Sequence, residues 1–132
     1  MNSRLNIALR EHHGLVYNVE SSLTNYTDTG TFAIYFGCDP KDVDRCKKIV
    51  RKELNLLMDK TMSERQIKAY IKQISGQIRV ACDNRESYAL DMAKSYLHYN
   101  KFEGIEDTIS LLEELTPQFI QEVAAEVFRE DN

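Results

Sequence analysis

The residues best equipped for chemistry sit close together near the N-terminus, in the run Arg10-Glu11-His12-His13-Gly14-Leu15-Val16-Tyr17. His12 and His13 are the natural suspects for a metal. Adjacent positions on a helix point about 100° apart, so the pair does not readily face one ion. A catalytic zinc site needs its ligands a helical turn apart and a positioned Glu as base. Here Glu11 precedes two neighbouring histidines, and His98 stands alone among tyrosines. No metal site is expected, and no hydrolysis by this chain on its own. Arg10 and Tyr17 offer a different chemistry. A guanidinium and a phenol are good partners for a peptide carbonyl or for the oxyanion of a tetrahedral intermediate. Gly14 lies between them and tolerates the backbone conformation needed to fold one back toward the other. The plainer alternative is a surface Arg favoured at a helix C-terminus and a Tyr on a half-buried strand.

Three further groups have mainly structural readings. The segment Arg45–Lys52 holds five basic residues, with Arg45, Lys48 and Lys52 on one helical face. Asp42, Asp44 and Glu53 balance it, as on a solvated helix surface. Tyr88, Met92, Tyr96 and Tyr99 recur at helical spacing, which predicts core or interface packing. Cys38, Cys46 and Cys82 are odd in number and scattered, and read as buried free thiols in a reducing compartment. That leans cytoplasmic. No G-x-S-x-G, Walker or G-x-G-x-x-G pattern is present.

The elements that must hold these residues follow from periodicity. Leu5, Ala8 and Leu9 form the stripe of a short helix that Gly14 ends. From Leu15 the period becomes two, and Leu15, Tyr17, Val19 and Leu23 share one predicted strand face. Asp28-Thr29-Gly30 is turn chemistry, and Thr31–Gly37 reads as a second strand. Asp39-Pro40 then opens a helix to about Asp59, with Asp39 as N-cap and a stripe of Val43, Cys46, Val50, Leu54 and Leu57. Ser63-x-x-Gln66 is a capping box for the next helix, striped by Ile67, Tyr70, Ile71, Ile74, Ile78 and Ala81. The tyrosine-rich helix and a short one through Ile105, Ile109, Leu112 and Leu115 follow. Thr116-Pro117 begins the last. A helix, a hairpin and a run of helices make an α+β layout.

At 132 residues the chain is one domain's worth. The expectation is a single domain over 1–132. A formal net charge of −4 and a pI near 5.4 argue against nucleic acid or an anionic membrane as partner. No apolar run approaches a membrane span, and the first residues lack a secretory signal. A lone hairpin is marginal in water, so the layout reads as a domain cut from a larger protein.

Ser3-Arg4-Leu5, Leu9-Arg10-Glu11, Gly14-Leu15-Val16-Tyr17, Asp28-x-Gly30 and Gly37-x-Asp39-Pro40 together resemble the C-terminal-type domain of the pitrilysin/insulinase family of zinc metallopeptidases. The likeness extends through Leu115-Thr116-Pro117 and covers essentially the whole chain. It implies an antiparallel or mixed sheet backed by helices, here lacking its first strand. It also implies a chamber, formed by paired halves, that holds an unfolded peptide. One domain of such a protein carries the inverted zinc motif H-x-x-E-H and a distal Glu. Its non-catalytic partner carries an Arg and a Tyr seven residues apart that bind substrate, and these match Arg10 and Tyr17.

The leading expectation is thus a non-catalytic, substrate-binding domain of a pitrilysin-like zinc metalloendopeptidase. Zinc and general base would come from a domain outside this sequence. The rival is a domain of an inactive homologue serving as a structural or partner-binding subunit. A third reading, an unrelated α+β interaction module, places Arg10 and Tyr17 apart. Loss of the first strand would bare a sheet edge and invite self-association.

Overall fold

The structure, a computed structural model, describes residues 3–26, 28–102 and 104–129. The chain divides into two compact units: residues up to Lys60 together with those from Ala124 onward, and Thr61–Val123.

The first unit begins with a capped helix. Ser3 is its N-cap, and its hydroxyl accepts from the Asn6 N–H at 3.3 Å. Helix α1 (Arg4–Asn6) continues as a π-helical turn over Ile7–Glu11. The wider turn shows in the His12 N–H, which bonds the Ile7 carbonyl five residues back at 2.9 Å. Gly14 then takes φ 59°, the left-handed region that a side chain disfavours. Its N–H closes on Arg10 O, and the Leu15 N–H on Leu9 O, each at 2.9 Å. The chain so turned enters β1 (Val16–Asn25), which pairs antiparallel with β2 (Gly30–Cys38). Tyr26 N–H to Thr29 O at 2.8 Å closes the connecting loop.

After β2, Pro40–Asp42 forms one 3₁₀ turn that leads into α2 (Val43–Asp59). The Asp39 side chain does not cap this turn, contrary to the sequence expectation. Its carbonyl instead accepts from the Asp42 N–H at 2.9 Å, while its carboxylate lies 3.9 Å from Lys41 Nζ. Helix α2 packs on the hairpin's inner face and on the first helix. Leu9, Val16, Val19 and Cys46 form the buried cluster, ringed by Leu5, Leu15, Ile34, Phe36, Cys38, Ile49 and Val50. An ion pair from Arg4 Nε to Glu53 Oε2 at 3.3 Å ties the first helix to α2.

In the second unit α3 (Glu64–Ala81) starts with the expected capping box. The Gln66 N–H donates to Ser63 Oγ at 3.3 Å, and the Ser63 N–H to Gln66 Oε1 at 3.0 Å. Helices α4 (Arg85–Tyr99) and α5 (Ile105–Glu113) follow. Ile67 and Ile109 are the buried residues of α3 and α5, and Arg79 pairs with Glu106 at 2.6 Å. Helix α6 (Pro117–Val127) opens under the Thr116 hydroxyl, which accepts from the Phe119 N–H at 3.2 Å. Helix α4 buries no residue, and Tyr96 and Tyr99 are exposed. Tyr88 and Met92, at the start of the stripe, are half-buried. Its spacing shows that a face exists, not what covers it.

Candidate functional site

Arg10 and Tyr17 both lie on the surface, and each is the immediate chain neighbour of a fully or nearly fully buried residue. Leu9 is 0% exposed and Val16 6%. The Leu9–Val16–Val19–Cys46 cluster thus anchors the backbone on which both candidates stand. Arg10 occupies the π-helical turn, and its carbonyl is used by Gly14 while its side chain is exposed. Among the described residues, neither side chain has a hydrogen-bond, ion-pair or ring partner.

The strand pairing decides how Tyr17 is presented. Val16 lies opposite Cys38 and Asn18 opposite Gly37, so Tyr17 is an extra residue with no partner on β2. This is a β-bulge, a feature that bends a strand and re-aims the side chain it carries. It breaks the alternation expected from sequence. Tyr17 does not share a face with Val19; it is 76% exposed, while Val16 and Val19 are both buried. Asn18 stands on the outer face, where a Cβ on Gly37 would come within 2.9 Å of its Oδ1. Gly37 thereby leaves room for the Asn18 side chain beside the bulge. Farther along that face Glu20 lies opposite Tyr35, which is also exposed. The face beyond the hairpin's core side therefore presents phenols, an amide and a carboxylate, suited to hydrogen-bonding an extended peptide. The bulge and Gly37 were missed from sequence. The signal was the Val16-x-x-Val19 spacing, which is odd where a regular strand needs an even one.

His13 is used locally. Its Nδ1 lies 2.6 Å from the Ala8 carbonyl, which can only accept, so Nδ1 carries the proton. The ring caps the end of the first helix. His12 is exposed. Among the described residues no three His, Cys, Asp or Glu side chains gather into a metal site. The donor set at Glu11-His12-His13 does not fit a zinc ion.

The thiols are less scattered than the sequence implied. Cys38 packs against the cluster that contains Cys46. Burial first, and then the hydrogen bond that the Cys46 thiol makes to Cys38, push the Cys46 pKa up to about 11. The basic residues Arg45, Lys48 and Lys52 of α2 are exposed, as on a solvated face. Arg51 reaches back to donate to the Phe128 carbonyl at 3.2 Å.

Residues 1–74 match the profile of the peptidase M16 inactive domain. The chain belongs to that family. It is the pitrilysin-type C-terminal domain that the first forty residues resembled. An uncharacterized zinc protease of Streptomyces coelicolor is 28% identical over 127 residues, which is 96% of this chain and 28% of that protein. The mitochondrial-processing peptidase subunit alpha of Rattus norvegicus is 25% identical over 98% of this chain and 24% of its own length. In structure, a chain of the dimeric complex III from Candida albicans superposes with a TM-score of 0.83 at 17% identity, over 96% of this chain and 30% of that one. The M16 domain described here thus spans less than a third of these relatives. The likeness to complex III carries the fold alone.

Proposed function

We propose that this M16 domain forms a non-catalytic, substrate-binding wall of a zinc metalloendopeptidase that holds an unfolded peptide in an enclosed chamber. Arg10 and Tyr17 are the residues that meet the peptide. The observation that carries the reading is their shared foundation. Two exposed polar groups, without a partner among the described residues, stand next to the buried Leu9 and Val16, one on a π-helical turn and one on a bulge. Both backbone irregularities sit where a binding side chain is presented, a placement typical of functional positions. A rigid base with free donors above it suits recognition of a carbonyl or of developing negative charge.

Zinc and the general base belong to an H-x-x-E-H domain of the same or a paired chain. When bound there, the ion activates water for attack on the peptide bond. The residues of this chain orient the peptide and offer N–H and O–H donors to its carbonyl. The zinc-protease names of the curated relatives support a zinc-dependent parent. The three free cysteines fit a reducing, cytoplasmic setting.

A second reading has its own support. The family description names an inactive domain, and one relative is the alpha subunit of a processing peptidase. On that reading the parent is an inactive homologue that pairs with another chain. The discriminating experiment uses the full-length parent. Arg10→Ala should lower kcat/KM on an unstructured peptide at least tenfold with zinc content unchanged. An unaltered kcat/KM removes the role assigned to Arg10, and a parent with neither an H-x-x-E-H motif nor a partner chain that has one decides for the inactive homologue.

A further inference from the structure

We propose that a cavity at the loop end of the hairpin binds a carboxylate carried on an apolar body. The hairpin's inner face is packed as far as Ile34, which joins the residues around the Leu9–Val16–Val19–Cys46 cluster. Farther along, Leu23 and its cross-strand partner Phe32 remain 63% and 37% exposed. They open onto a cavity of about 730 Å³, a volume within the range of small-molecule sites. The described residues that line it all belong to the first unit. Leu23, Phe32 and Ile34 supply one wall, Leu54 of α2 a second, and Phe128, just past α6, a third. The Phe32 and Phe128 rings meet edge to face with centroids 5.0 Å apart, which braces the aromatic walls against each other.

The charges set the ligand class. Among the described residues Arg51 and Arg129 line the cavity against a single acid, Glu126, which leaves one positive charge in excess. Arg51 is held in place, because its guanidinium donates to the Phe128 carbonyl at 3.2 Å. That bond uses one of five N–H donors, and the planar fork that remains suits a carboxylate. Arg129 is exposed and has no partner among the described residues. Apolar walls alone would take any hydrophobe. Guanidiniums beside them favour an anion, and a single excess charge matches a monocarboxylate better than a phosphate monoester, which carries nearly two.

Such a group ends a fatty acid, and it also ends a peptide whose last residue is apolar. Neither Arg10 nor Tyr17 lines the cavity, so the site does not depend on the peptide-binding role proposed for them.

The test titrates the whole chain, labelled with ¹⁵N, and follows its amide spectrum. Two probes are carboxylates, octanoate and N-acetyl-leucyl-leucine. Two are their neutral counterparts, octan-1-ol and the dipeptide amide. The expected result is saturable shifts at Leu23, Thr31, Phe32 and Leu54 with a carboxylate, and a Kd at least about tenfold weaker for its neutral counterpart, as the loss of one charge-assisted hydrogen bond requires. A response to only one carboxylate supports the site and names its source, lipid or peptide. Arg51→Gln should weaken the carboxylate about tenfold and leave the neutral probe unchanged. Because Arg51 also holds the Phe128 carbonyl, Arg129→Gln is the second variant; it leaves that bond intact and should cost about two- to fivefold. Leu23→Asp should abolish the shifts, since it sets a negative charge in the wall at a position the fold leaves exposed. Equal affinity for acid and neutral probe would overturn the proposal. So would no saturable shift with either carboxylate, or unchanged affinity in both arginine variants.

Discussion

The substitution Tyr17→Phe separates a binding tyrosine from a packing one. Tyr17 is 76% exposed and has no partner among the described residues. Removing its hydroxyl breaks nothing in the fold, so stability should change by no more than about 0.5 kcal/mol. For a domain of this size that is a shift in thermal midpoint of roughly 1–3 °C. Activity should respond differently. A hydrogen bond to a charge that develops in the transition state is worth about 1.5–3 kcal/mol, or roughly 10- to 150-fold in rate. The assay pairs a thermal melt of this chain with kcat/KM of the full-length parent on an unstructured peptide, at verified zinc content. If the hydroxyl acts on the transition state rather than on binding at large, the loss appears in kcat. The reasoning fails if kcat/KM changes less than twofold, because the bulge then presents a phenol that touches nothing. It fails equally if the melt falls by many degrees, because Tyr17 would then be a structural residue.

Leu9→Ala should show the opposite signature. Leu9, the residue before Arg10, is fully buried, so its truncation should cost about 2–5 kcal/mol in chemical denaturation of this chain, with any loss of activity following unfolding. Ser63→Ala removes the oxygen that accepts from Gln66 and should destabilise the chain by about 0.5–2 kcal/mol, and a value near zero would deny the capping box its role. Cys46 predicts a pH dependence. Its folded pKa of about 11 lies above the ordinary 9.0, so the folded chain binds the proton more tightly than the unfolded one. The stabilisation is complete below pH 9 and is lost as pH rises toward 11; the gap corresponds to roughly 3 kcal/mol. Cys46→Ala should flatten the fall in stability across that window, and an unchanged slope would mean that Cys46 is not held protonated by its surroundings. The hairpin predicts self-association. Among the described residues the sheet has two strands, and β2 carries no charged residue from Gly30 to Cys38. Sedimentation of this chain should show concentration-dependent association that Tyr35→Lys weakens, since the new charge faces Glu20 within the hairpin yet burdens an approaching strand. A monomer at every concentration would mean that the edge does not pair.

What could be read in advance, and what could not, divides along one physical line. Features fixed by neighbours in sequence were legible. Gly14 ends the first helix with positive φ, Ser63 and Gln66 cap α3 reciprocally, and Thr116 caps α6. Each rests on a bond spanning a few residues, so residue type carries the information. Asp39 shows the edge of that rule, because its backbone carbonyl makes the turn that its side chain was expected to cap. Features that depend on a count across two elements were not legible. A bulge is two residues facing one, and it exists only once the register of β2 against β1 is chosen. A regular alternation through Tyr17 put it on the face of Val19, where a phenol would be half-buried and unavailable. The register puts it outside instead. The same holds for Cys38 and Cys46, which look unrelated along the chain and join one cluster only because α2 packs on the hairpin. The candidate residues were thus named by type and position before their presentation was understood. Whether Arg10 and Tyr17 bind a peptide depends on that presentation. The two irregular turns of backbone beside Leu9 and Val16 are therefore the part of this domain on which substitution experiments discriminate most sharply.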